Sequence, residues 1–146
     1  MGLFLSSCSL VSSEPVLKSD KSYSFKIKNS KWSQVKDKKV DYLFKHQDGG
    51  LVYSKSYCDY FKGNVKKISD SFIKKINHSE IREQNNQDLK GHPARFTALS
   101  SNMDGKEVFI YHQAIKTGSC YYDITGIGHN STFKESFQDL IQRLDL

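Results

Sequence analysis

The side chains able to do chemistry are sparse in this chain, and no spacing assembles them into a known pattern. The five histidines are His46, His78, His92, His112 and His129. No two stand four apart on a helix and none forms an H-x-H pair. C-x-x-C is missing too, so the spacing expected of zinc ligands does not occur. The histidines read as ordinary loop or strand-face residues. Gly126-Ile127-Gly128 precedes a helical pattern, as phosphate-binding glycines do. A dinucleotide fingerprint needs a third glycine and a βαβ setting, however. Here residue 131 is Ser131 and the surrounding segments read as antiparallel, so the glycines read as turn formers. No serine occupies a G-x-S-x-G elbow. Asp59, beside Cys58, would approach Asp123 if Cys58 meets Cys120; otherwise both are surface charges. The sequence therefore assigns no catalytic residue, no metal ligand and no cofactor.

Cysteine usage is more informative. A short apolar run ends in Leu5-Ser6-Ser7-Cys8, and Ser9, Ser12 and Ser13 follow. This stretch resembles the lipobox of bacterial lipoproteins. The resemblance implies that Cys8 carries lipid and becomes the first residue of the mature protein. Ser9 stands where some bacteria use Asp to retain lipoproteins at the inner membrane, which implies the periplasmic side of the outer membrane. A secretory signal has a basic segment and an apolar run of about 7–15 residues before its cleavage site. Only Met1 to Ser7 precede Cys8, without Lys or Arg, so this reading expects a start upstream of Met1. Two other readings stay open. Gly2 with Ser6 fits the myristoylation pattern, with Cys8 as a palmitoylation site, which would make a cytoplasmic-face acylated adaptor. The plainest reading is a slightly apolar end without an anchor. No other run approaches the roughly 18 apolar residues that span a bilayer, so membrane contact is expected through the terminus alone.

If Cys8 is lipidated, Cys58 and Cys120 remain as an even pair. An oxidising periplasm lets such a pair persist as a disulfide. The bridge would close a loop of about 60 residues and contribute about 3–4 kcal/mol in the chain-entropy view. The alternative is two separate buried thiols.

The 146 residues suit one domain. Nine Phe and eight Tyr are spread along the body, which favours a folded core. Net charge is +6. A basic surface attracts anionic lipid or acidic polymers, but the lysines are scattered and arginine occurs only at Arg82, Arg95 and Arg143. No nucleic-acid stripe is formed.

The elements that would position these residues are legible from periodicity. Residues 9–21 read as a tether. Tyr23, Phe25 and Ile27 alternate as a strand, and Trp32 follows in a loop. Segments 40–46 and 51–57 flank Asp48-Gly49 and predict a hairpin. Val65, Ile68, Phe72, Ile73 and Ile76 predict an amphipathic helix after Asn64, with Lys66, Lys67, Lys74 and Lys75 as its solvated side. From Glu80 the chain reads as a β-meander with an edge strand at 80–87, turns at Lys90-Gly91 and Asp104-Gly105, and a last strand from Cys120 that Gly126 and Gly128 end. Thr132 and Glu135 match a capping box before a helix striped by Phe133, Phe137, Leu140, Ile141 and Leu144. The two helices are expected to cover one face of the sheet.

The order of strand, Trp32, hairpin, Cys58, helix, meander, Cys120-Tyr121-Tyr122-Asp123 and terminal helix is similar to that of small bacterial lipoproteins with a PsbP-like α/β sandwich. The expected fold is α+β, a single antiparallel sheet of about five to seven strands flanked by two amphipathic helices. Residues 1–8 would be a signal-peptide remnant with lipobox, 9–21 the tether and 22–146 the domain. The resemblance implies a non-enzymatic binding or assembly accessory domain, anchored to the cell envelope through Cys8, with an envelope protein or anionic polymer as partner. The opposing readings are a small periplasmic hydrolase and the acylated adaptor.

Overall fold

The structure is a computed structural model that describes residues 23–58, 63–76, 79–118 and 120–146. Cys8 and the tether, with Asp59 and His78, lie outside the described residues.

Alternation and turn chemistry build most of the sheet. Strands β3 (Tyr42–His46) and β4 (Leu51–Cys58) form the expected hairpin, and its turn holds Gly49 and Gly50 at φ of +102° and +104°. Such angles suit glycine, which has no Cβ to clash. Strands β5 (Glu80–Leu89), β6 (His92–Met103), β7 (Lys106–Lys116) and β8 (Cys120–Gly128) form the meander. Strand β8 returns to pair with β4, and β2 (Trp32–Val35) edges β3. The sheet is antiparallel throughout, in the order β2-β3-β4-β8-β7-β6-β5.

Five sequence expectations are corrected. Trp32 is no loop residue: it opens β2 opposite His46 and is buried. The Tyr23–Ile27 segment does not join the main sheet. Its β1 (Ser24–Phe25) pairs with β9 (Leu144–Asp145) in a separate two-stranded sheet, so the architecture has two sheets. Tyr23 and Phe25 still point into the core, as their alternation requires. Gly126 and Gly128 do not end the last strand but lie within β8. Thr132 makes no side-chain cap; instead its N–H donates to Asn130 Oδ1 at 2.9 Å.

The fifth correction concerns the helices α1 (Val65–Lys75) and α2 (Phe133–Gln142), which lie on opposite faces of the sheet. Successive strand residues point to opposite sides. Phe96 and Tyr111 meet Phe133 and Phe137 of α2, whereas Leu99, Val108 and Ile110 meet Phe72 of α1. Central strand β7 is thereby covered twice, which is why its run Val108–Tyr111 is apolar at both parities. Asn64 caps α1 as expected, its Oδ1 accepting from Lys67 N at 3.0 Å.

Candidate functional site

Three arrangements combine exposure or burial with chemistry. The first is an open cleft of about 690 Å³ at the start of α2. The β3–β4 turn, the 29–31 loop and His129-Asn130 wall it. His46 stands at its edge, where β3 ends. Asp48 N–H donates to His46 Nδ1 at 3.1 Å, so in the neutral ring the proton resides on Nε2. Trp32 meets the same imidazole edge-on with centroids 4.7 Å apart. Across the cleft Arg143 pairs with Asp139 at 2.9 Å and Lys31 with Asp48 at 3.4 Å. Glu135 adds a further carboxylate to the lining. These groups offer hydrogen bonds to a polar ligand. No hydroxyl among the described residues is hydrogen-bonded to His46 or His129, so no nucleophile–base pair is formed there.

Glycine builds the floor beneath this cleft. A Cβ on Gly126 would stand 2.5 Å from Phe137 Cδ1, and one on Gly128 would stand 2.6 Å from Phe133 Cδ2. The Gly-Ile-Gly stretch thus serves packing: it bares the backbone of β8 so that Phe133 and Phe137 of α2 can approach it closely.

The second arrangement is a pair on the other face. His112 Nε2 and Asp123 Oδ1 are 2.5 Å apart, on adjacent strands β7 and β8. The imidazole is fully buried and stacks under Phe72 of α1, with centroids 4.1 Å apart and planes at 8°. Its Nδ1 has no hydrogen-bond partner among the described residues. A carboxylate-oriented histidine is half of a hydrolytic triad. Here the free nitrogen is buried, away from solvent, and the pair ties the sheet internally.

The third is a strip on β4 and β8. Tyr57 stacks on Tyr121 at 4.8 Å, and Lys55 Nζ lies 5.7 Å from the Tyr57 ring centre. Burial, then the nearby Tyr57 and Asp123 charges, push the Tyr121 phenol up to about 12. The next pair along, Cys58 and Cys120, stands directly opposite in register and is joined by a disulfide. Elsewhere Lys134 Nζ bonds Glu83 at 2.7 Å and holds that carboxyl below its usual range.

Of the residues singled out from sequence, Cys58 and Cys120 come together, and His46 and His129 share a cleft. His92 opens β6 away from the others. No cluster of three metal-ligating side chains occurs among the described residues. The His112–Asp123 pair escaped the sequence reading. The available signal was a histidine at an inward position between Ile110 and Ala114.

No protein-family model matches this sequence, and no curated protein matches it at the sequence level. Solved structures do share the fold. LpqN of Mycobacterium tuberculosis, described as involved in cell envelope biogenesis, superposes with a TM-score of 0.67 at 9% identity, covering 82% of this chain and 79% of its own. CyanoP, the cyanobacterial PsbP of Synechocystis sp. PCC 6803, gives 0.58 at 14% identity over 85% and 86%. Protein PA94 of Pseudomonas aeruginosa gives 0.54 at 7% identity over 79% and 81%. At these identities the likeness is one of fold: an antiparallel α+β sandwich like that of LpqN and the PsbP-like proteins.

Proposed function

We propose that this chain is a lipid-anchored cell-envelope protein, held through Cys8 on the periplasmic side of the outer membrane, whose domain binds or scaffolds and does not catalyse. The observation that carries this reading is the Cys58–Cys120 bridge, together with the residues before Cys8. Disulfides persist in oxidising compartments, and the bridge leaves Cys8, behind Leu5-Ser6-Ser7, as the remaining cysteine of three. The fold likeness to LpqN, whose described role is in the envelope, agrees with that location. The polar cleft at the start of α2 is the natural seat for a ligand or partner segment. A hydrolase would need an accessible base beside a nucleophile. The oriented histidine, His112, instead lies sealed under Phe72.

Metabolic labelling with radioactive palmitate in the native host tests the reading. The wild-type chain is expected to take up label and sediment with the outer membrane, and Cys8→Ser to lose both properties. Unlabelled wild-type protein, or free thiols at Cys58 and Cys120 in natively isolated material, would overturn it.

A further inference from the structure

The α1 side of the sheet has a chemistry of its own. Helix α1 packs on β6 and β7 and reaches Ile127 of β8, whereas β3 and β4 expose side chains on the same side of the sheet. On that strip Leu51 and Tyr57 are 44% and 40% exposed, Tyr53 is half-buried, and Lys45 and Lys55 stand between them. Beside the strip α1 exposes Lys66, Lys67, Lys74 and Lys75. The carboxylates here are engaged: Asp70 with Lys66 at 2.8 Å and Asp123 with His112. The cleft on the opposite side pairs its charges, Lys31 with Asp48 and Arg143 with Asp139, and adds Glu135. The α1 side carries the lysine excess: Lys45, Lys55, Lys66, Lys67, Lys74 and Lys75 against Asp70 and Asp123.

We propose that the α1–β4 face seats the domain on an anionic bilayer surface. Tyrosine rings and leucine suit the headgroup level, where the polar and apolar ends of a ring are both accommodated, and lysines suit lipid phosphates. The interleaving of lysine with tyrosine fits this occupant through charge complementarity. The inference rests on the lipid-anchor reading only for bringing the domain to a membrane: residues 9–21, fully extended, reach about 45 Å.

The test uses the full chain carrying Cys8→Ser, without acyl groups, so that the outcome is independent of lipidation. It is floated with vesicles of phosphatidylcholine, with and without three-tenths phosphatidylglycerol, at low salt. Flotation with the anionic vesicles alone is expected. Each lysine near such a surface contributes about fivefold to binding, so Lys67→Glu with Lys74→Glu weakens it at least about 25-fold. Both positions are exposed, and Lys67→Glu places an acid in the first turn of α1, where the helix dipole favours one. Lys26→Glu with Lys28→Glu, an equal change of net charge beside β1, is expected to weaken binding far less. Tyr57→Ala weakens flotation without changing charge. Absence of phosphatidylglycerol-dependent flotation overturns the proposal. Equal losses from the two charge reversals overturn it as well, since net charge alone would then explain binding. So does binding to polyglutamate without binding to vesicles, which would assign the face to an acidic macromolecule.

Discussion

Gly126→Ala puts the packing role of the Gly126-Ile127-Gly128 stretch to a quantitative test. Gly126 is fixed on both sides, paired with Val52 on β4 and Tyr111 on β7. A methyl group there would stand 2.5 and 3.0 Å from two ring carbons of Phe137 and 3.2 Å from Phe133. Phe137 cannot yield easily, because it is fully buried between Phe96 and Tyr111. Overpacking of this kind costs about 1–3 kcal/mol. Restricting the unfolded chain returns about 0.4–1 kcal/mol. The net loss is about 1–2 kcal/mol, or a fall in Tm of about 3–8 °C for a chain of this size. Urea unfolding measures it as a lower midpoint at unchanged m-value. Adding Phe137→Leu makes room for the methyl group, and the double variant is expected to lose less than the sum of the singles by about 1 kcal/mol. Gly118→Ala is the control: among the described residues, chain neighbours aside, nothing lies within 4 Å of a Cβ built there, so it is expected to be neutral or mildly stabilising. A Gly126→Ala variant as stable as the wild type, with additive behaviour in the cycle, would refute the reasoning.

Other expectations follow from single features. Cys58→Ser removes a cross-link between residues 62 apart and is expected to cost about 4 kcal/mol, read as the difference in urea midpoint from the oxidised wild type; reduced wild type should match the variant. Asp123→Ala leaves the buried His112 without its carboxylate and is expected to cost about 1–3 kcal/mol in the same assay, with Asp123→Asn costing less. The raised Tyr121 phenol makes stability fall at alkaline pH. Above pH 10 the unfolded chain releases that proton while the folded chain keeps it, so stability present below 10 is lost progressively up to about 12. A spectrophotometric titration should show a tyrosine ionising near 12, and Tyr121→Phe should remove that step.

Much of the fold was legible because local chemistry and global arrangement agree. Asp48-Gly49 between alternating segments marked the hairpin, and the stripes through Phe72 and Phe137 marked the helices. The misses have physical causes. In β8 the inward positions run Tyr122, Ile124, Gly126, Gly128, so the alternation fades where rings from α2 replace side chains on the strand. Trp32 opens a four-residue strand whose Ser33 and Gln34 carry no apolar signal. The run Val108–Tyr111 is apolar at both parities, a signal of burial on both sides that the expectation of two helices on one face did not use. Neither the His112–Asp123 pair nor the cleft is visible locally: the first depends on the register of β7 against β8, the second on three separate loops.

The most direct test of anchoring is the mass of the protein isolated from its own host. The lipobox reading requires a mature chain that begins at Cys8 and carries a diacylglyceryl thioether on its sulfur, with Met1 to Ser7 gone. An unmodified Cys8 with those seven residues still attached would contradict a membrane-held protein, and with it the assignment to the envelope.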